Sequence, residues 1–159
     1  MNTITLTYQI AVTLLKGIGP IKAKHLISKL GGIEPLFDEK IEVIAKKTGY
    51  NPKTLHQMER NEALLKAKKQ IGFFRKNEIT THFYTDKSYP RRLKECDDAP
   101  LLLFSKGALN CNVEKVVAIV GTRNATDYGK SICEELIKSF EGKNILVVSG
   151  MAYGIDILV

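Results

Sequence analysis

Tryptophan is absent from this chain of 159 residues, and cysteine and histidine occur three times each. Cys96, Cys111 and Cys133 are widely spaced, and their number is odd. No Cys-x-x-Cys or Cys/His pairing exists, so neither a disulfide framework nor a structural zinc site is expected. His25, His56 and His82 are equally scattered. No apolar run approaches the roughly 20 residues of a membrane helix. The first residues, MNTITLTYQIAVTLLKG, lack a basic n-region and a small-residue cleavage site, so no signal peptide is read there. A reduced, cytoplasmic protein with no membrane partner is the expectation. The composition, 44% hydrophobic and 26% charged, argues against wholesale disorder.

Acidic residues are scarce in one half only. Residues 1–80 hold 14 Lys/Arg against 7 Asp/Glu, whereas residues 113–159 hold 5 against 6. The whole +7 therefore belongs to the first half, which predicts a basic module followed by a nearly neutral one. The excess favours partners carrying phosphate.

The basic half reads as short helices. Leu6, Ile10, Leu14 and Leu15 make a helical stripe. Gly17-Ile18-Gly19-Pro20 breaks it, and a second helix carries Ile21, Leu26, Ile27 and Leu30 up to Gly31-Gly32. Residues 39–48 form another helix, capped by Gly49. Asn51-Pro52 opens a long one, with Leu55, Met58, Leu65, Ile71 and Phe74 as its buried face. LLKGIGPIKAKHLISKLGG resembles a helix-hairpin-helix. Gly17 and Gly19 permit positive φ, and amides at the second helix's start can face a phosphate oxygen. Lys22 and Lys24 could add charge, and Ile18 reads as a core peg. The same turn also serves plain hairpin packing or protein docking, and both readings stay open.

The second half reads as α/β. Residues 81–85 and 101–104 are strand candidates. Residues 116–120, VVAIV, form an apolar strand of the kind buried on both faces of a parallel sheet. Residues 124–127 offer N-caps for a helix over 128–140, and ILVV at 145–148 is the next buried strand. This is a βαβ unit. Two glycine turns follow its strands: Gly121-Thr122-Arg123, then Ser149-Gly150 with Gly154. In a parallel sheet both lie at the strands' carboxyl ends, where ligands bind. Arg123 stands where a dinucleotide fold needs its second glycine. It blocks close approach of a pyrophosphate and supplies a planar cation instead. No nucleotide cofactor is expected.

VVAIVGTRNATDYGKSICEEL together with NILVVSGMAYGID resembles the DprA (Smf) family of DNA-processing proteins. The stretch FYTDKSYPRRLKECDDAPLLLFSKGAL resembles the same family. The resemblance implies an α+β / α/β architecture. A small helical domain, helix-hairpin-helix or SAM-like, over 1–78 precedes the first part of a Rossmann-like domain over 79–159. It implies a non-catalytic protein that binds single-stranded DNA, protects incoming DNA in natural transformation and helps load the recombinase RecA. It also implies a homodimer for the full-length family. On it, Gly121, Thr122 and Arg123 match one phosphate-binding turn, and Ser149, Gly150 and Gly154 the second. Tyr153 stands where many relatives have Arg, so base stacking or packing replaces a second cation there. The family's domain continues well past GID, so a C-terminally shortened chain is expected. Two alternatives remain. One is a Rossmann-like nucleotide or nucleoside-phosphate hydrolase of the lysine-decarboxylase-like type, with Asp156 as its acid or base, although Asp156 reads more naturally as orienting the turn. The other is a helical protein-docking module.

Overall fold

The computed structural model describes residues 3–108 and 110–159. It divides into two compact units, Met1–Leu109 and Asn110–Val159. The mixture of helices with small parallel and antiparallel sheets is the α+β class expected.

In the first unit, α1 (Thr3–Thr13) is followed by α2 (Pro20–Leu30). Pro20 pre-sets the first turn of α2, and Gly31 closes it at φ 76, its amide meeting the Ile27 and Ser28 carbonyls. α3 (Glu34–Asp38) leads to α4 (Ile41–Thr48), which Gly49 ends at φ 77. Asn51 caps α5 (Pro52–His56) by accepting the Lys53 amide at 2.8 Å. α6 (Arg60–Lys76) packs along α1. Ile10, Val12, Leu26, Leu36, Ile44 and Met58 are fully buried at the centre.

The long helix expected after Asn51 is two helices. The chain turns at Glu59, which adopts φ 54. Met58 is thereby buried completely, and its carbonyl accepts the Lys16 amide at 3.2 Å. Arg60 Nη1 donates to the carbonyls of Leu36 at 2.8 Å and Glu39 at 2.9 Å, closing the end of α3. The turn also rotates the buried face of α6. Ala63, Ala67 and Ile71 face inward, while Leu65 is exposed.

β1 (Ile79–Phe83) and β2 (Leu102–Lys106) form an antiparallel pair with Phe83 opposite Leu102. Phe83, Leu101 and Leu102 join the helical core. The strand pair therefore belongs to the first compact unit, which extends well past residue 78. Between the strands, α7 (Arg91–Lys94) follows Tyr89, whose hydroxyl donates to the Pro100 carbonyl at 2.6 Å.

In the second unit, β3 (Lys115–Ala118) and β4 (Ile145–Val148) pair in parallel, with Val116 opposite Leu146. α8 (Asp127–Phe140) connects them. Its N-cap is Thr126, whose Oγ1 accepts the Gly129 amide at 3.1 Å. Asp156–Leu158 form a single 3-10 turn. The two strands are not buried on both faces as VVAIV predicted: among the described residues the ladder has two strands and none flanking, which leaves their residues half-exposed, and Val148 is 47% exposed.

Candidate nucleic-acid interface

The second unit brings its two glycine turns into direct contact. The Ile155 amide donates to the Thr122 carbonyl at 3.1 Å. Gly154 sits at φ 94, and a Cβ there would lie 2.6 Å from the Arg123 Cα. A Cβ on Gly121 would lie 2.6 Å from Cγ1 of Ile155. Glycine is required at both positions, once for backbone conformation as well as for space. The residues around 121–123 and 149–154, expected to share the carboxyl ends of parallel strands, are thus one loop cluster.

Asp156 lies beneath that cluster and is buried. Its Oδ1 accepts the Gly121 amide at 3.1 Å and its Oδ2 the Gly150 amide at 3.2 Å. The anion that these two amides meet is thus a carboxylate of the chain itself. The Ser149 hydroxyl donates to the Ile119 carbonyl at 2.8 Å, tying β4's end to the segment after β3. Thr122 Oγ1 accepts the Asn124 amide at 3.2 Å, which leaves its own proton to donate. Arg123 is exposed, and its guanidinium has no ion pair or hydrogen bond among the described residues.

Exposed apolar residues occur in the same two segments. Val120 is 75% exposed, Met151 85% and Tyr153 82%. Met151 adopts φ 53, an uncommon conformation for a residue with a Cβ. Sequence reasoning reached Tyr153 but missed Met151 and Ile155. Met151 carries no local signal, and Ile155 meets Gly121 through a contact between segments distant in sequence.

The hairpin in the first unit is built differently. Gly17 uses its freedom at φ 71, but Gly19 is extended at φ −82 and does not need it. Ile18 is buried in the core. Beside Gly17 lies a cavity of about 410 Å³ lined by Lys16, Thr54, Gln57 and Glu59. Lys16 forms an exposed ion pair there with Glu59 at 3.0 Å. Lys22 is exposed, and Lys24 Nζ donates to the Asp97 carbonyl at 3.0 Å. Among the described residues, the hairpin thus presents Lys22 and Lys29 without a pair, Lys24 on a carbonyl and Lys16 in an acid–base pair.

A helical unit followed by a parallel βαβ unit whose two glycine turns meet at its strand ends defines an α+β architecture with a Rossmann-like second half. The family model for DNA recombination-mediator protein A matches residues 80–159, and the chain belongs to that family. It is 39% identical over 87 residues to DNA processing protein DprA of Bacillus subtilis, covering 54% of this chain and 29% of that one. Against DNA processing protein DprA of Streptococcus pneumoniae it is 42% identical over 71 residues, which is 45% of this chain and 25% of that one. Protein Smf of Synechocystis is 26% identical over 159 residues, covering 94% of this chain and 38% of its own. The X-ray structure of DNA processing protein A from Streptococcus pneumoniae superposes with a TM-score of 0.51 at 27% identity, over 89% of this chain and 52% of that chain. This chain thus spans between a quarter and two-fifths of these curated relatives. Among the described residues no helix is long and apolar enough to cross a membrane.

Proposed function

We propose that this chain carries the phosphate-contacting end of a non-catalytic, single-stranded-DNA-binding protein acting in the cytoplasm. Its role is to protect incoming DNA in natural transformation and to assist loading of the recombinase RecA, with homodimerisation as a property of the longer family members. The observation that carries this reading is Arg123. It is an exposed, unpaired guanidinium on a turn whose backbone is locked against the second glycine turn at Gly154. A planar cation held this way suits a phosphate oxygen pair. Met151 and Tyr153, exposed on the second glycine turn, offer apolar and aromatic surface to unstacked bases, which duplex DNA does not present. Thr122 supplies a hydroxyl donor.

The hydrolase alternative needed Asp156 for proton transfer. Both of its oxygens are engaged by main-chain amides, so that group is committed to structure. The docking alternative keeps the helical unit, whose hairpin packs Ile18 into the core and pairs Lys16 with Glu59.

The test is salt-dependent binding of fluorescein-labelled oligo-dT. Arg123→Ala should weaken binding to all single-stranded sequences alike and reduce the log–log salt slope by about 0.7, the contribution of one phosphate contact. Unchanged affinity and slope would remove Arg123 from the interface.

A further inference from the structure

We infer that the two glycine turns form one anion cradle which the chain fills with its own Asp156 carboxylate, and that this internal anion positions the Thr122–Arg123 turn. The Gly121 and Gly150 amides come from the ends of different strands and converge on the two oxygens of one side chain, at 3.1 and 3.2 Å. That side chain is only 8% exposed, and no lysine or arginine pairs with it among the described residues. The two amides are the polar partners that hold a buried charge in place.

Gly150 is crowded by this occupant and Gly121 by the residue before it. A Cβ on Gly150 would stand 2.8 Å from Asp156 Oδ2, and one on Gly121 would strike the neighbouring Ile155. The Ile155 amide bonds the Thr122 carbonyl, so the residue preceding the carboxylate fixes the residue preceding Arg123. Pulling out the carboxylate would free two amides and loosen the turn that carries the cation. An arriving phosphate cannot use the Gly121 and Gly150 amides while Asp156 holds them. It is left with the Arg123 side chain and the Thr122 hydroxyl. This second step rests on the DNA-binding reading above, whereas the cradle itself does not.

The experiment uses the whole chain. Asp156→Ala leaves a hole the size of a one-carbon carboxylate. Sodium formate, compared with sodium chloride at equal ionic strength, should raise the variant's unfolding midpoint in a saturable way and leave the parent unchanged. A variant midpoint indifferent to formate would overturn the cradle. Asp156→Asn preserves the side chain's shape, but its one oxygen can serve only one of the two amides. Hydrogen exchange should therefore accelerate at Gly121 or Gly150, and equal protection at both would also overturn the cradle.

Positioning has its own readout. Asparagine removes a negative charge beside a phosphate site, which by electrostatics alone would tighten DNA binding. Positioning predicts the opposite, oligo-dT binding weaker by about tenfold, the scale of one buried amide left unsatisfied. Binding by Asp156→Asn as tight as the parent's, or tighter, would refute positioning. Failure of the parent chain to bind oligo-dT at any salt would refute the DNA reading instead, and the formate result would still decide the cradle.

Discussion

Gly154→Ala tests the junction of the two turns. Gly154 adopts φ 94, and its added Cβ would lie 2.6 Å from both Cα and the carbonyl carbon of Arg123. These are backbone atoms, so no rotamer change relieves the clash. The left-handed conformation costs a residue with a Cβ about 1–2 kcal/mol. Forcing a methyl into a filled site costs about 1–3 kcal/mol more. The expected loss is thus about 2–5 kcal/mol, against roughly 2.5–7.5 kcal/mol for the total stability of a unit of this size at the usual value per residue. Gly142→Ala is the internal control. Gly142 also lies in the left-handed region, at φ 69, but a Cβ there meets nothing within 4 Å. It should show the conformational part alone, about 1–2 kcal/mol. Urea unfolding followed by hydrogen exchange of peptides from residues 110–159 isolates the second unit. A Gly154→Ala midpoint equal to that of Gly142→Ala would refute the close apposition of the turns.

Arg60→Met should cost about 2–3 kcal/mol in urea unfolding, because the guanidinium's bonds to the Leu36 and Glu39 carbonyls are charge-assisted. Arg60→Lys should recover part of it, and a silent Arg60→Met would remove the argument for the turn at Glu59. A fragment of residues 1–109 should retain helical circular dichroism and a cooperative melt. Residues 1–78 alone should melt far lower, because they lack the buried side chains of Phe83, Leu101 and Leu102, worth roughly 4–9 kcal/mol together. Equal melting of the two fragments would make the strand pair a passenger. Three tyrosines should make the first unit sensitive to alkali. The hydrogen bond to Asp38 raises the Tyr8 pKa above the ordinary 10.0, and burial raises those of Tyr84 and Tyr89. Raised values favour the protonated form in the fold, so their contribution is complete below pH 10 and is lost as pH rises through the folded values. Tyr84→Phe should shift the alkaline unfolding midpoint upward, and an unshifted midpoint would refute the burial argument.

How much of this was legible in the sequence depended on whether the deciding interaction was local. The caps of α2, α4, α5 and α8 were all written nearby, in Pro20 and Gly31, Gly49, Asn51 and Thr126. The βαβ order followed from two apolar runs separated by one amphipathic helix. What failed was non-local. Nothing in Gln57-Met58-Glu59 announces a break, since no glycine or proline is present. The turn exists because Met58 fills the core and Arg60 reaches the carbonyls ending α3, 21 to 24 residues away in sequence. The face of α6 was misread for the same reason, since the helix begins at Arg60 rather than Pro52 and its phase shifts.

The candidate site shows the same division with a different consequence. The glycines at 121, 150 and 154 were visible as residues able to approach an anion, but sequence alone could not say which anion. A buried carboxylate six residues after Gly150 satisfies two amides without the translational entropy that a free phosphate must lose, so it holds that position against any external competitor of similar chemistry. Net charge and the proposed phosphate contact fall in different halves of the chain. The excess of +7 lies on the helical half, where Lys16 and Lys47 are ion-paired to glutamates and Lys24 donates a hydrogen bond to a carbonyl. The unpaired guanidinium on a fixed turn belongs to the neutral half. Local geometry that strips a cation of partners and holds its backbone rigid does more to define a phosphate contact than a surplus of mobile lysines, because the ordering cost has already been met in folding.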